Sequence, residues 1–150
     1  MFFARPYKKA ILSVLTACPL FKERWFLDYK TGDKLTFAYN AFETDLEKIT
    51  GGDFYFEYEK SGTFTAMVTF PFLEKDARFS RVTAAVDAFP DYDLDDVAIF
   101  AERNRKPEPR SVLIITMKDV TKETVEKAAK RLCEAVTDFI EAYQNGTDEE

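Results

Sequence analysis

Apolar residues near the start of the chain recur at the spacing of one helical face: Ile11, Val14, Leu15 and Cys18 follow the i, i+3, i+4, i+7 rule. Pro6 suits a first helical turn, because it lacks the N–H that would go unpaired there, and Pro19 cannot extend the helix. The spacing predicts a helix over Pro6–Cys18. The period then drops to two. Trp25, Leu27 and Tyr29 alternate with Phe26, Asp28 and Lys30, the triplet at Thr31 to Asp33 offers a turn, and Leu35, Phe37 and Tyr39 resume the alternation. A second hairpin sets Phe54, Phe56 and Tyr58 against Glu57 and Glu59, turns at Lys60 to Gly62, and returns through Phe64, Ala66, Val68 and Phe70. The alternate positions of that return strand are mostly threonine, which predicts a sheet with one apolar face and one wet face. Between the hairpins, Thr44 and Glu47 stand at capping-box spacing and predict a short helical turn.

The helical period comes back over Asp76–Phe89, with Phe79, Val82, Val86 and Phe89 on one stripe. A third hairpin is expected from Val97–Glu102 and Ser111–Lys118; Pro107 and Pro109 keep its long connection out of any ladder. The unbroken apolar run from Val112 to Ile115 marks the second of these strands as interior and covered on both faces. The last helix has the longest pattern: Val125, Ala128, Ala129, Leu132, Val136, Phe139, Ile140 and Tyr143 keep helical spacing. Thr121 is the expected N-cap, Glu123 favours the positive helix end, and Asn145 with Gly146 ends the run. This gives an α+β chain, an antiparallel sheet of about six strands in three hairpins packed by three helices, in the order α-β-β-β-β-α-β-β-α. With no repeat and no long linker, one domain over 1–146 with an acidic tail at 147–150 is expected. The closing helix is the natural cover for the aromatic face.

Composition adjusts this picture in three places. The chain has 15 Phe beside 7 Tyr and 1 Trp, and Phe has no polar handle, so most must be buried in a core or an interface; the excess favours a homodimer or a docking groove. A net charge of −6 disfavours nucleic acid, whose phosphates would be repelled at long range. No run of about twenty apolar residues exists to cross a membrane, and the start of the chain makes a poor secretory signal, so a cytoplasmic location is expected. The two cysteines, Cys18 and Cys133, are far apart in helical patterns and read as buried, unreactive thiols.

Chemistry is constrained chiefly by an absence. The chain has no histidine, which removes Ser–His and Cys–His nucleophile pairs and most zinc sites. Gly51 and Gly52 lack the Lys-Ser/Thr of a phosphate loop, so no cofactor is expected. Asp91, Asp93 and Asp95 occupy positions 1, 3 and 5 of an acidic loop with Glu102 at position 12, a spacing similar to a calcium-binding EF-hand loop. Asp96 stands where that loop needs glycine, and a strand rather than a helix follows; the plainer reading is a solvated turn whose carboxylates satisfy local amides. Arg103, Arg105, Lys106 and Arg110 form a basic cluster that could grip an acidic partner, or simply keep a hairpin tip soluble. Trp25 with Phe26, and Phe2 with Phe3, are the aromatic candidates for a docking patch; the plainer reading is core or a frayed tail. The stripe from Phe54 to Phe70 is core, since Glu57 and Glu59 beside it would repel bases.

The element order over Val97–Glu102, Ser111–Lys118 and Thr121–Tyr143, preceded by a helix, a block of antiparallel strands and a second helix, resembles the type III secretion chaperone-like fold shared by YbjN-like bacterial regulators. The chain differs in having four strands before its second helix where the chaperones typically have three. The resemblance implies a dimeric, non-enzymatic protein that binds an extended segment of another protein along strand edges and apolar grooves. Two other classes stay open: a small carboxylate-based enzyme or cation-binding domain using Asp91, Asp93, Asp95 and Glu102, and a phage- or defence-related inhibitor acting through surface charge.

Overall fold

The computed structural model describes residues 4–21, 26–39, 54–87, 94–104, 106 and 109–146. Over these residues the chain is α+β. Helix α1 spans Ala4–Ala17 and is followed by a short 3-10 turn at Pro19–Phe21. Strands β1 (Phe26–Lys30), β2 (Lys34–Tyr39), β3 (Phe54–Glu59) and β4 (Phe64–Phe70) come next. Helix α2 (Phe79–Asp87), strands β5 (Asp96–Glu102) and β6 (Arg110–Met117), and helix α3 (Val125–Asn145) complete the order. The strands form one sheet in the order β1-β2-β3-β4-β6-β5, with every neighbouring pair antiparallel. The helical turn expected around Thr44 and Glu47 and the acidic tail lie outside the described residues.

Alternation decides which side of the sheet each residue serves. Leu35, Phe37 and Tyr39 of β2, Phe54, Phe56 and Tyr58 of β3, Phe64, Ala66, Val68 and Phe70 of β4, and Leu113 and Ile115 of β6 are all buried on one face. The registers carry these rows across the sheet, with Phe37 opposite Phe56, Phe56 opposite Ala66, and Ala66 opposite Ile115. Helix α3 covers this face: Phe139 meets Phe70 edge-on at 5.9 Å, and Tyr143 lies 5.7 Å from the same ring. Helix α1 adds Tyr7, stacked on Tyr58 at 4.6 Å, with Ile11 and Leu15 buried behind it. Val82 and Ala85 of α2 join the same core. The aromatic stripe is therefore core, as its acidic neighbours implied.

Three expectations need correction. Helix α2 starts at Phe79 rather than Asp76, because Asp76 accepts bonds from the Arg78 amide at 2.8 Å and from its Nε at 2.9 Å. That local turn competes with helix and delays it. Helix α3 starts at Val125 with Thr124 at its N-cap; the Thr121 amide donates to Thr124 Oγ1 at 2.9 Å, closing a separate turn before the helix. The second sheet face is less wet than its threonines suggested. Thr36, Thr69 and Val112 are buried there, Val112 lying in register between Thr69 and Phe100. Interior β6 has Leu113 and Ile115 buried on the helix side, while on the other side Val112 is buried and Ile114 only half-buried, so the coverage of both faces expected from its apolar run is incomplete.

One glycine is fixed by geometry. Gly62 closes the β3–β4 turn at φ +99° and donates to the Glu59 carbonyl at 2.9 Å. Its own carbonyl accepts the Val120 amide at 2.9 Å, so the turn is tied to the approach to α3.

Candidate partner-binding edge

Strand β5 is outermost on its side of the sheet, and among the described residues no strand lies beyond it. Successive residues of a strand aim their backbone N–H and C=O groups to opposite sides, so every second residue of β5 offers both groups away from β6. The sequence Asp96-Val-Ala-Ile-Phe-Ala-Glu102 has β-branched and aromatic side chains and no proline or glycine to interrupt it. Edge strands are usually blunted by lysine, proline or a bulge. Here charge sits only at the strand ends, on Asp96 and Glu102.

Both faces of this edge are apolar. On the helix side Val97 and Ile99 are half-buried against the core, opposite Ile115 and Leu113. On the other side stand half-buried Ala98 and exposed Phe100; at 54%, Phe100 is the one large hydrophobic so exposed among the residues whose side chains are described. A strand laid along β5 would extend two apolar rows that the sheet already carries from β4 and β6.

Of the residues proposed from sequence, those described near this edge are Asp95, Glu102, Arg103, Lys106 and Arg110. Glu102 pairs across the strands with Arg110, whose Nε reaches Glu102 Oε1 at 2.5 Å. Arg103 donates to Glu74, holding that carboxyl below its usual range, chiefly through the hydrogen bond itself. The basic cluster is thus partly neutralised by acids of its own chain. Lys106 is exposed, and Arg105 lies outside the described residues. Asp95 Oδ2 accepts the Lys118 amide at 2.6 Å, the local role that the plainer reading assigned to this turn. Asp95 immediately precedes extended β5 and Glu102 ends it, about 23 Å apart at the rise of a strand. A single cation cannot bridge them, so the EF-hand-like spacing is not realised over this pair. Asp91 and Asp93 lie outside the described residues, and no group of three His, Cys, Asp or Glu able to hold a metal ion occurs among those described. Phe26 is in β1, at the opposite edge of the six-stranded sheet from β5, which Arg103 follows, about 24 Å away at ordinary strand spacing, and about 19 Å from β6, which Arg110 opens. Trp25, Phe2 and Phe3 lie outside the described residues. Among the described residues, the strand that holds Phe26 and the strands beside the basic cluster are therefore far apart in the sheet.

Sequence reasoning missed Phe100. The signal was present in its position, on the outward alternate of a strand whose partner β6 is the interior apolar run, but strand order is needed to know that β5 has no second neighbour among the described residues. Compared with known proteins, the chain matches no family model, no curated protein and no solved structure. No helix among the described residues is long and apolar enough to cross a membrane.

Proposed function

We propose that the protein is a non-enzymatic binding module that takes an extended segment of another protein along the β5 edge, in the manner of the chaperone-like fold its element order resembles. The observation that carries this reading is the uninterrupted edge of β5 with Phe100 exposed beside it. Main-chain groups supply affinity in such pairing, and alternate side chains supply selection. Val97 and Ile99 on one face and Ala98 and Phe100 on the other favour a partner segment with apolar residues at alternate positions. The two ion pairs, Glu102–Arg110 and Arg103–Glu74, frame the C-terminal end of the strand with matched charge, which suits a partner of little net charge there.

The test is selection of peptides from a random displayed library against the full chain and against Phe100→Glu. With 54% of its surface exposed, Phe100 offers about 100 Å² to a partner, worth up to about 2.5 kcal/mol if fully covered. Covering half of that area makes the expected loss in Phe100→Glu about tenfold in affinity. Selected peptides should alternate apolar residues and shift the β5 amide resonances. Peptides that bind Phe100→Glu equally well, or that leave β5 unperturbed, would overturn the assignment.

A further inference from the structure

The chain has two cysteines, and the fold brings them together. Cys18 follows the last turn of α1, and Cys133 lies in the middle of α3; both are buried, at 8% and 4% exposure. Thr137 joins their surroundings, its Oγ1 lying 3.8 Å from Cys18 Sγ and donating to the Cys133 carbonyl at 2.7 Å. The Cys133 thiol is held far above its ordinary ionisation range, first by a hydrogen bond with the Cys18 thiol and then by burial. Two cysteines more than a hundred positions apart in the sequence thus meet beside Thr137, one turn of α3 beyond Cys133. Both line a cleft of about 660 Å³ between α1 and α3, whose rim carries Glu126, Glu134 and Asp138 against Lys130.

We propose that Cys18 and Cys133 form a redox-modification site that a small cationic disulfide converts into an α1–α3 cross-link. The reaction is thiol–disulfide exchange in two steps. Cys18, in the connection after α1, loses its proton and attacks one sulfur of the small disulfide, releasing one small thiol and leaving a mixed disulfide on Cys18. The Cys133 sulfur then attacks Cys18 Sγ; the second small thiol leaves as thiolate and takes up the proton that Cys133 gives up. Two protein thiols are oxidised, one disulfide is reduced to two thiols, and no other reactant is needed. Cys133 is the resolving sulfur because its neutral thiol is a poor nucleophile toward solution but faces Cys18 at high effective concentration. The acidic rim of the cleft selects a cationic reagent over an anionic one.

The probe is cystamine, added to the purified full chain at mildly alkaline pH. The expected product is a monomer that has lost two hydrogens, retains no cysteamine, and yields one Cys18–Cys133 cross-linked peptide. Because the bridge closes a loop of more than a hundred residues, its melting temperature should rise by about 5–10 °C and fall back on reduction. In Cys133→Ser the mixed disulfide on Cys18 should persist; the wild-type measurement stands without this variant if it does not fold. Stable cysteamine adducts on the wild-type chain, dimers linked between chains, or two thiols still open to alkylation after denaturation would each overturn the proposal.

Discussion

Replacing Tyr58 with Phe removes one oxygen and leaves the ring where it is. In the native chain that ring is buried, stacked on Tyr7 at 4.6 Å and edge-on to Phe64 at 5.9 Å, and both contacts survive the substitution. What is lost is the phenol O–H donated to the Val120 carbonyl at 2.8 Å, at a buried residue just before α3, together with the hydroxyl's own bond to Tyr7. A carbonyl left without a partner in such a place costs about 1–3 kcal/mol, so the substitution should destabilise by about 2 kcal/mol. For a chain of this size that is a fall of roughly 4–8 °C in Tm, and about 1 M in the urea midpoint with the slope unchanged. The same hydroxyl gives a signal in alkali. Burial, and then a hydrogen bond with Tyr7, hold its ionisation well above the ordinary 10.0. The folded state therefore keeps a proton that the unfolded state releases. Its contribution is full below about pH 10 and is lost as pH rises beyond, so wild-type stability should decline there and Tyr58→Phe should decline less. Urea titrations of both proteins at pH 7 and at several values above 10 measure both effects. A variant within about 0.5 kcal/mol of wild type at neutral pH, with the same alkaline slope, would refute the buried tie between β3 and the start of α3.

Three further outcomes follow from local geometry. Gly62→Ala should cost about 1–2 kcal/mol in a thermal melt, since a side chain there must adopt φ +99° with its Cβ 3.3 Å from the Val120 oxygen. Arg81→Ala should cost about 1–2 kcal/mol and speed amide exchange in the last turn of α3, because Arg81 donates to the Tyr143 carbonyl at 2.5 and 3.1 Å and lies 4.4 Å from the Tyr143 ring; Arg81→Lys should recover part of the loss. The Asp76 carboxyl, lowered to about 2 by its hydrogen bonds with the Arg78 side chain and amide, should titrate there by carbon-detected NMR. Any stability it lends is present above the usual 3.8 and lost as pH falls through about 2, and Arg78→Ala should return it toward 3.8.

The two periodicities made most of the architecture legible. Alternation over Phe54–Glu59 and Phe64–Phe70 fixed which side chains are core, and the helical stripe from Val125 to Tyr143 fixed what covers them. Helix starts were less legible because Asp76 and Thr121 are good capping residues that are also good turn formers, and the structure uses them in turns. The candidate site was hidden for another reason. Whether β5 has one neighbour or two depends on β6 inserting beside β4, a long-range pairing that no local pattern encodes. Glu102 was legible as a charged residue but not as the partner of Arg110, which needs the β5–β6 register. The meeting of Cys18 with Cys133 is likewise set by how α1 and α3 pack; in the sequence they are two distant apolar positions. The Arg81 cap on α3 is invisible for the same reason.

The most direct test of the binding edge is residue-resolved amide hydrogen exchange across Asp96–Glu102 in the free protein. An open edge predicts an alternating pattern, with the amides aimed at β6 protected and their neighbours exchanging at near solvent rates, and protection of those neighbours when a selected peptide is added. Uniform protection along β5 without any peptide would mean that the edge is already covered, and would contradict the proposed function.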